Sequence, residues 1–100
     1  MNNMNINEML KQAKKMQSEI ELKEKELYKK EFTIEKQGLT LVLNGKREVL
    51  KIDINEALVD PEDKDILEDL LLLAFNEAME KIDEAHKEIE KQIPSGKLPF

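Results

Sequence analysis

The chain has no cysteine and no tryptophan, and only one histidine, one tyrosine and three phenylalanines. Without cysteine there can be no disulfide, no thiolate chemistry and no cysteine-based zinc site. The single histidine, His86, has no second one with which to build a conventional zinc site. The longest unbroken apolar run, Leu70 to Phe75, falls far short of the roughly 18–20 residues needed to cross a bilayer. The N-terminal stretch from Met1 to Glu8 lacks the basic-then-apolar order of a signal peptide. With three glycines in all, there is no glycine-rich phosphate loop, no D-x-D-x-D-G calcium loop and no internal repeat. Ser18 and Ser95 have no histidine close in sequence to activate them, so no catalytic residues, cofactor or metal are expected. These absences predict a cytoplasmic, non-enzymatic protein.

What is present is charge, and it is sorted. The net charge of the 100 residues is -6. The stretch from Asn55 to Ile93 carries 13 acids against four lysines, a net of -9, which leaves the remainder at +3. A length of 100 residues suits one domain, expected over residues 1–93, with Ser95 to Phe100 a mobile tail beyond the breaker Pro94. Such a chain buries roughly 60–70% of its unfolded surface, and with four aromatics its core must be mainly aliphatic.

From Asn5 to about Tyr28 the apolar residues Ile6, Met9, Ala13, Met16, Ile20 and Leu27 follow a 3-4 spacing, broken by Lys23. This predicts a helix with one packing seam, capped by Asn5 or Asn7. At about 100° per residue the seam covers roughly 80° of arc, and Lys11, Lys14, Lys15, Lys25 and Lys29 fall within about 100° on the opposite side. Three strand-like runs follow. Lys30 to Lys36 places Phe32 and Ile34 on one face, Leu39 to Leu43 places Leu39, Leu41 and Leu43 there, and Glu48 to Ile54 points Leu50, Ile52 and Ile54 inward. Gln37-Gly38 signals a turn, and Asn44-Gly45 signals a two-residue hairpin with both central residues at φ > 0. Asp60 caps the second helix, with Pro61 at its first position and acids in its first turn.

The first half of that helix is apolar nearly all round and needs cover on more than one side. The sheet supplies one cover and a partner subunit the other. Its second half narrows to a seam of Leu71, Phe75, Ala78, Ile82, Ala85 and Ile89, which asks for a neighbouring helix. The expected fold is therefore α+β: an α-β-β-β-α protomer with a three-stranded antiparallel meander, two long helices and a dimeric assembly.

Within this pattern, Leu10-Lys11-Gln12-Ala13 and Met16-Gln17 are followed by Asn44-Gly45 and Ile52-Asp53. Then come Leu67-Glu68-Asp69-Leu70, Ala74-Phe75-Asn76-Glu77-Ala78 and the terminal Leu98-Pro99-Phe100. In this order and spacing the chain resembles the YbaB/EbfC family of small bacterial nucleoid-associated DNA-binding proteins. The resemblance implies a tweezer-shaped homodimer that binds double-stranded DNA with little sequence preference, and a place in the nucleoid. It puts DNA contact on the protruding helices, here residues 5–30 and, more loosely, the distal last helix. The sequence departs from the family pattern in a shorter first hairpin, at Gln37-Gly38, and in a strongly acidic last helix, which argues against DNA contact there.

Lys11, Lys14, Lys15, Lys25 and Lys29 are thus the expected phosphate contacts. The plainer reading is a solvated face braced by Glu19–Lys23, Glu21–Lys25 and Glu26–Lys30 pairs, each worth about 0.2–0.5 kcal/mol. Met4, Met9 and Met16 are read as seam packing ahead of an adaptable binding surface. His86 is read as an ordinary edge residue within reach of Asp83 and Glu90 ahead of a pH switch, and Asn76 as a structural hydrogen-bonding residue. The competing function is a protein-interaction module of prefoldin-like design, its terminal helices paired along their length and no nucleic acid bound.

Overall fold

Asn5 starts the first helix, its side-chain Oδ1 accepting a hydrogen bond from the Glu8 backbone N–H at 2.8 Å. In the computed structural model, which describes residues 5–93, that helix, α1, spans Ile6–Lys29. It is followed by β1 (Glu31–Lys36), β2 (Leu39–Asn44), β3 (Val49–Ile54) and α2 (Lys64–Glu90). The α-β-β-β-α order and the antiparallel meander, in the sequence order β1-β2-β3, match the expectation. The tail and Met4 lie outside the described residues.

The core lies between one face of the sheet and α2. Phe32 and Ile34 of β1, and Leu39, Leu41 and Leu43 of β2, are buried against Leu70, Ala74, Ala78 and Ile82. The small side chains of Ala74 and Ala78 let the helix lie close on the strands. Lys36 Nζ reaches Glu77 Oε1 at 3.2 Å and pins β1 to α2 at the margin. Asp60, expected to cap the second helix, caps instead the turn just before it, its Oδ1 accepting from the Glu62 N–H at 3.0 Å, while Asp63 at the N-cap of α2 makes no side-chain cap bond. The turn it caps, Pro61–Asp63, is a 3-10 turn that leads into the α-helix, and a second 3-10 turn, Glu56–Leu58, precedes it.

Several expectations need correction. The seam residues Ala78 and Ile82 are fully buried, and Leu71 and Phe75 pack against the same core. They pack inside the protomer, against the sheet and, through Leu27, the end of α1, so the neighbouring helix that this seam asks for is α1. On α1 the seam holds for Ala13, Met16, Ile20 and Leu27, but Ile6 and Met9 are 74% and 51% exposed. The reason is geometric: α1 and α2 run antiparallel and meet at Tyr28 beside His86 and at Lys23, whose Nζ hydrogen-bonds Gln92 Oε1. The first turns of α1 extend past the end of that overlap.

β3 is likewise less buried than alternation implies. Leu43 pairs with Val49 while Val42 pairs with Lys51, so a β-bulge leaves Leu50 without a partner and turns it away from the core. Ile52 lies opposite Leu41 by register yet is 48% exposed, because α2 packs mainly on β1 and β2; of the three residues expected inward on β3, Ile54 packs against the core.

The two turns exchange their expected roles. Gln37 and Gly38 have φ of 48° and 96°, the signature of a primed two-residue hairpin, with Lys36 paired to Leu39. In the second hairpin the left-handed residue is Arg47, at φ 68°, and Gly45 is not left-handed. Asn44 instead organises a longer loop. Its backbone carbonyl accepts from Arg47 N at 2.9 Å, and its Oδ1 accepts from the N–H of Lys46 at 2.9 Å and of Glu48 at 3.0 Å. Gly45 is required by proximity: a Cβ there would lie 1.8 Å from the Leu27 carbonyl oxygen. Gly45 N–H also donates to the Lys30 carbonyl at 3.1 Å, which docks the hairpin against the end of α1.

Candidate nucleic-acid interface

A helix whose seam is turned inward must show its opposite face to solvent, and α1 does so. Lys11, Lys14, Lys15, Lys25 and Lys29 are all exposed. From Lys11 to Lys29 the rise of about 1.5 Å per residue gives a span of roughly 27 Å. Among the described residues none of the five is ion-paired; the pairs that form are Lys36–Glu77, Arg47–Asp83 and Lys91–Glu88. The expected Glu19–Lys23, Glu21–Lys25 and Glu26–Lys30 bridges are not made. Lys23 bonds Gln92, and the Lys30 ammonium sits 5.3 Å from the centre of the Phe32 ring. The stripe thus remains available to an external anion.

At its C-terminal end the stripe runs into a cleft of about 420 Å³ between α1 and the β2–β3 hairpin, to which Lys25, Lys29 and Lys46 contribute. Lys46 Nζ lies 5.7 Å from the centre of the Tyr28 ring. Sequence periodicity gave no hint of Lys46, since it sits on a loop. Only the close approach at Gly45 brings it beside α1.

His86 is not the plain edge residue expected. Its Nε2 donates to the Gly45 carbonyl at 2.8 Å and its ring lies against Tyr28, so α2, the hairpin and α1 are joined at one point. Asp83 pairs with Arg47. That hydrogen bond, aided by the charges of Arg47, Lys87 and His86, holds the Asp83 carboxyl below the usual carboxylate value of 3.8. Asn76, expected to make a structural hydrogen bond, is exposed and makes none among the described residues. No group of three metal-ligating side chains occurs among the described residues, and no described helix is long and apolar enough to cross a membrane.

Residues 1–97 match the YbaB/EbfC DNA-binding family. The chain belongs to that family. It is 52% identical over 86 residues to a nucleoid-associated protein of Metamycoplasma arthritidis, a match covering 86% of this chain and 90% of that one. Against a nucleoid-associated protein of Mycoplasma mobile it is 54% identical over 92 residues, covering 92% and 97% of the two chains. A third such protein, from Malacoplasma penetrans, is 42% identical over 98 residues, with coverages of 97% and 100%. The crystal structure of an uncharacterised protein of Helicobacter pylori has the same fold, with a TM-score of 0.70 at 20% identity, over 88% of this chain and 95% of that one. The YbaB/EbfC family is one of DNA-binding proteins, not of enzymes.

Proposed function

We propose that this YbaB/EbfC member is a nucleoid protein that binds double-stranded DNA through phosphate contacts made by the outer face of α1, with little preference for sequence. One observation carries the reading: five lysines on a single helix face, all exposed and without carboxylate partners among the described residues. Phosphate contacts position a protein on a duplex without reading its bases. Lys11, Lys14 and Lys15 contribute most, since they lie on the part of α1 that projects beyond its overlap with α2. The acidic outer face of α2 repels the duplex and confines contact to α1. The overall charge of -6 makes binding weak and strongly salt-dependent.

The bound form is a homodimer. Leu72 and Leu73 of α2 are 64% and 58% exposed, and Val49 and Ile52 of β3 are also exposed. A second copy offers these side chains the cover that a single protomer lacks. The competing prefoldin-like reading needs terminal helices paired along their length, whereas among the described residues α1 meets α2 through its C-terminal part, at Tyr28 and Lys23.

The test is the affinity for a random-sequence duplex across a salt series, for wild type and a Lys11/Lys14/Lys15→Ala variant. The variant is expected to bind more weakly, with a salt slope lower by roughly one unit per lost contact. Helical dichroism checks that it remains folded. Absence of wild-type binding at low salt would overturn the reading.

A further inference from the structure

The three lysines of the cleft come from two elements far apart in sequence. Lys25 and Lys29 are one turn apart on α1, and Lys46 is on the β2–β3 hairpin. Among the described residues the only acid lining the cleft is Glu48, whose Oε1 already accepts a hydrogen bond from Asn44 Nδ2 at 2.8 Å. In a chain with a net charge of -6, this is a local concentration of positive charge on a concave surface.

The placement of Lys46 is built into the backbone. Gly45 lies so close to Leu27 that no Cβ fits, and its N–H is bonded to the Lys30 carbonyl. The next residue is therefore held at the end of α1. The Tyr28 ring then steadies the Lys46 side chain through a cation–π contact, so less rotamer freedom remains to be lost when an anion arrives. The charge also answers a local problem. A helix C-terminus carries partial negative charge and repels phosphate. Lys29, in the last turn of α1, and Lys46, beside it, reverse that sign.

We infer that this cleft is a phosphate-binding subsite for the DNA backbone, with Lys46 closing it against Lys25 and Lys29. It extends the duplex contact from the helix face onto the sheet. This inference rests on the DNA-binding reading of α1 and adds a contact from a second element. The aromatic group in the cleft does not make it a base-stacking site, because Tyr28 is engaged by Lys46 and packs against His86. The ligand is therefore the phosphodiester of an intact duplex.

The experiment is the same salt-series titration on a random-sequence duplex, with Lys46→Ala, Lys46→Arg and Glu48→Gln variants beside wild type. Lys46 is exposed, so its replacement should leave the fold intact, as dichroism and melting would verify. The Lys46→Ala protein should bind roughly five- to tenfold more weakly at 0.1 M salt, with a slope lower by about one unit. Lys46→Arg should restore both, and Glu48→Gln should tighten binding. If wild type binds and Lys46→Ala matches it in affinity and slope, the subsite is refuted while the α1 interface stands. If wild type does not bind the duplex at all, both fall together.

Discussion

At the scale of single residues, Gly45 carries the sharpest structural demand. Its φ is not left-handed, so conformation alone would admit alanine there. Space does not, because the added methyl would meet backbone atoms of Leu27, not the yielding end of a side chain. Gly45→Ala is expected to cost about 1–3 kcal/mol, as overpacking against unyielding atoms does. At this chain length the melting temperature would fall by roughly 4–8 °C per kcal/mol. An unchanged melting curve would show that the hairpin can lift off α1 without penalty. The dipeptide Asn44-Gly45 did mark a hairpin in the sequence, but for the wrong reason. A glycine needed for φ and a glycine needed for room look alike in one dimension, and the room is created by Leu27, 18 residues away. Lys46 was hidden by the same fact. The α1 lysines were legible because helical periodicity alone brings them to one face.

At the scale of elements, the periodicities of α1, β1, β2 and α2 were legible because each element's pattern answers to a surface it touches. β3 was not. Its alternation reads as one-sided burial, yet the bulge leaves Leu50 without a partner and α2 packs mainly on the other two strands. Neither event leaves a mark in the strand's own residues. For α1 the seam resumes beyond Lys23 and runs from Ile20 to Ile6, and nothing in the sequence says where the partner helix stops. The consequence is an element anchored at its C-terminal end, by Leu27 and by the Gly45 hydrogen bond to Lys30. Native-state hydrogen exchange should therefore show protection that declines from Leu27 toward Ile6, while the amides of α2 from Leu70 to Ile82 exchange slowest. Uniform protection along α1 would mean that its first turns are covered in solution.

At the scale of the whole molecule, a radius of gyration of 20.6 Å is well above the roughly 13 Å of a compact 100-residue domain. A chain this extended leaves apolar surface open, and Leu72, Leu73 and Ile52 lie on it. Light scattering at micromolar concentration is expected to give twice the protomer mass. A Leu72→Lys/Leu73→Lys variant, whose new side chains stay in solvent within one protomer, should be folded and monomeric. A monomeric wild type would remove the dimer from the account. The elongation also gives the charge sorting a direction. Along the 72 Å axis, the free end of α1 carries Lys11, Lys14 and Lys15, while the opposite end holds Glu56, Asp60, Glu62, Asp63, Asp65, Glu68 and Asp69. The protomer is thus an electric dipole whose ends have opposite sign. Near a polyanion it experiences a torque that turns the lysine-bearing tip inward before any contact forms. Mobile ions confine that torque to within about 8–10 Å of the surface at physiological salt, so orientation is selected in the last steps of approach.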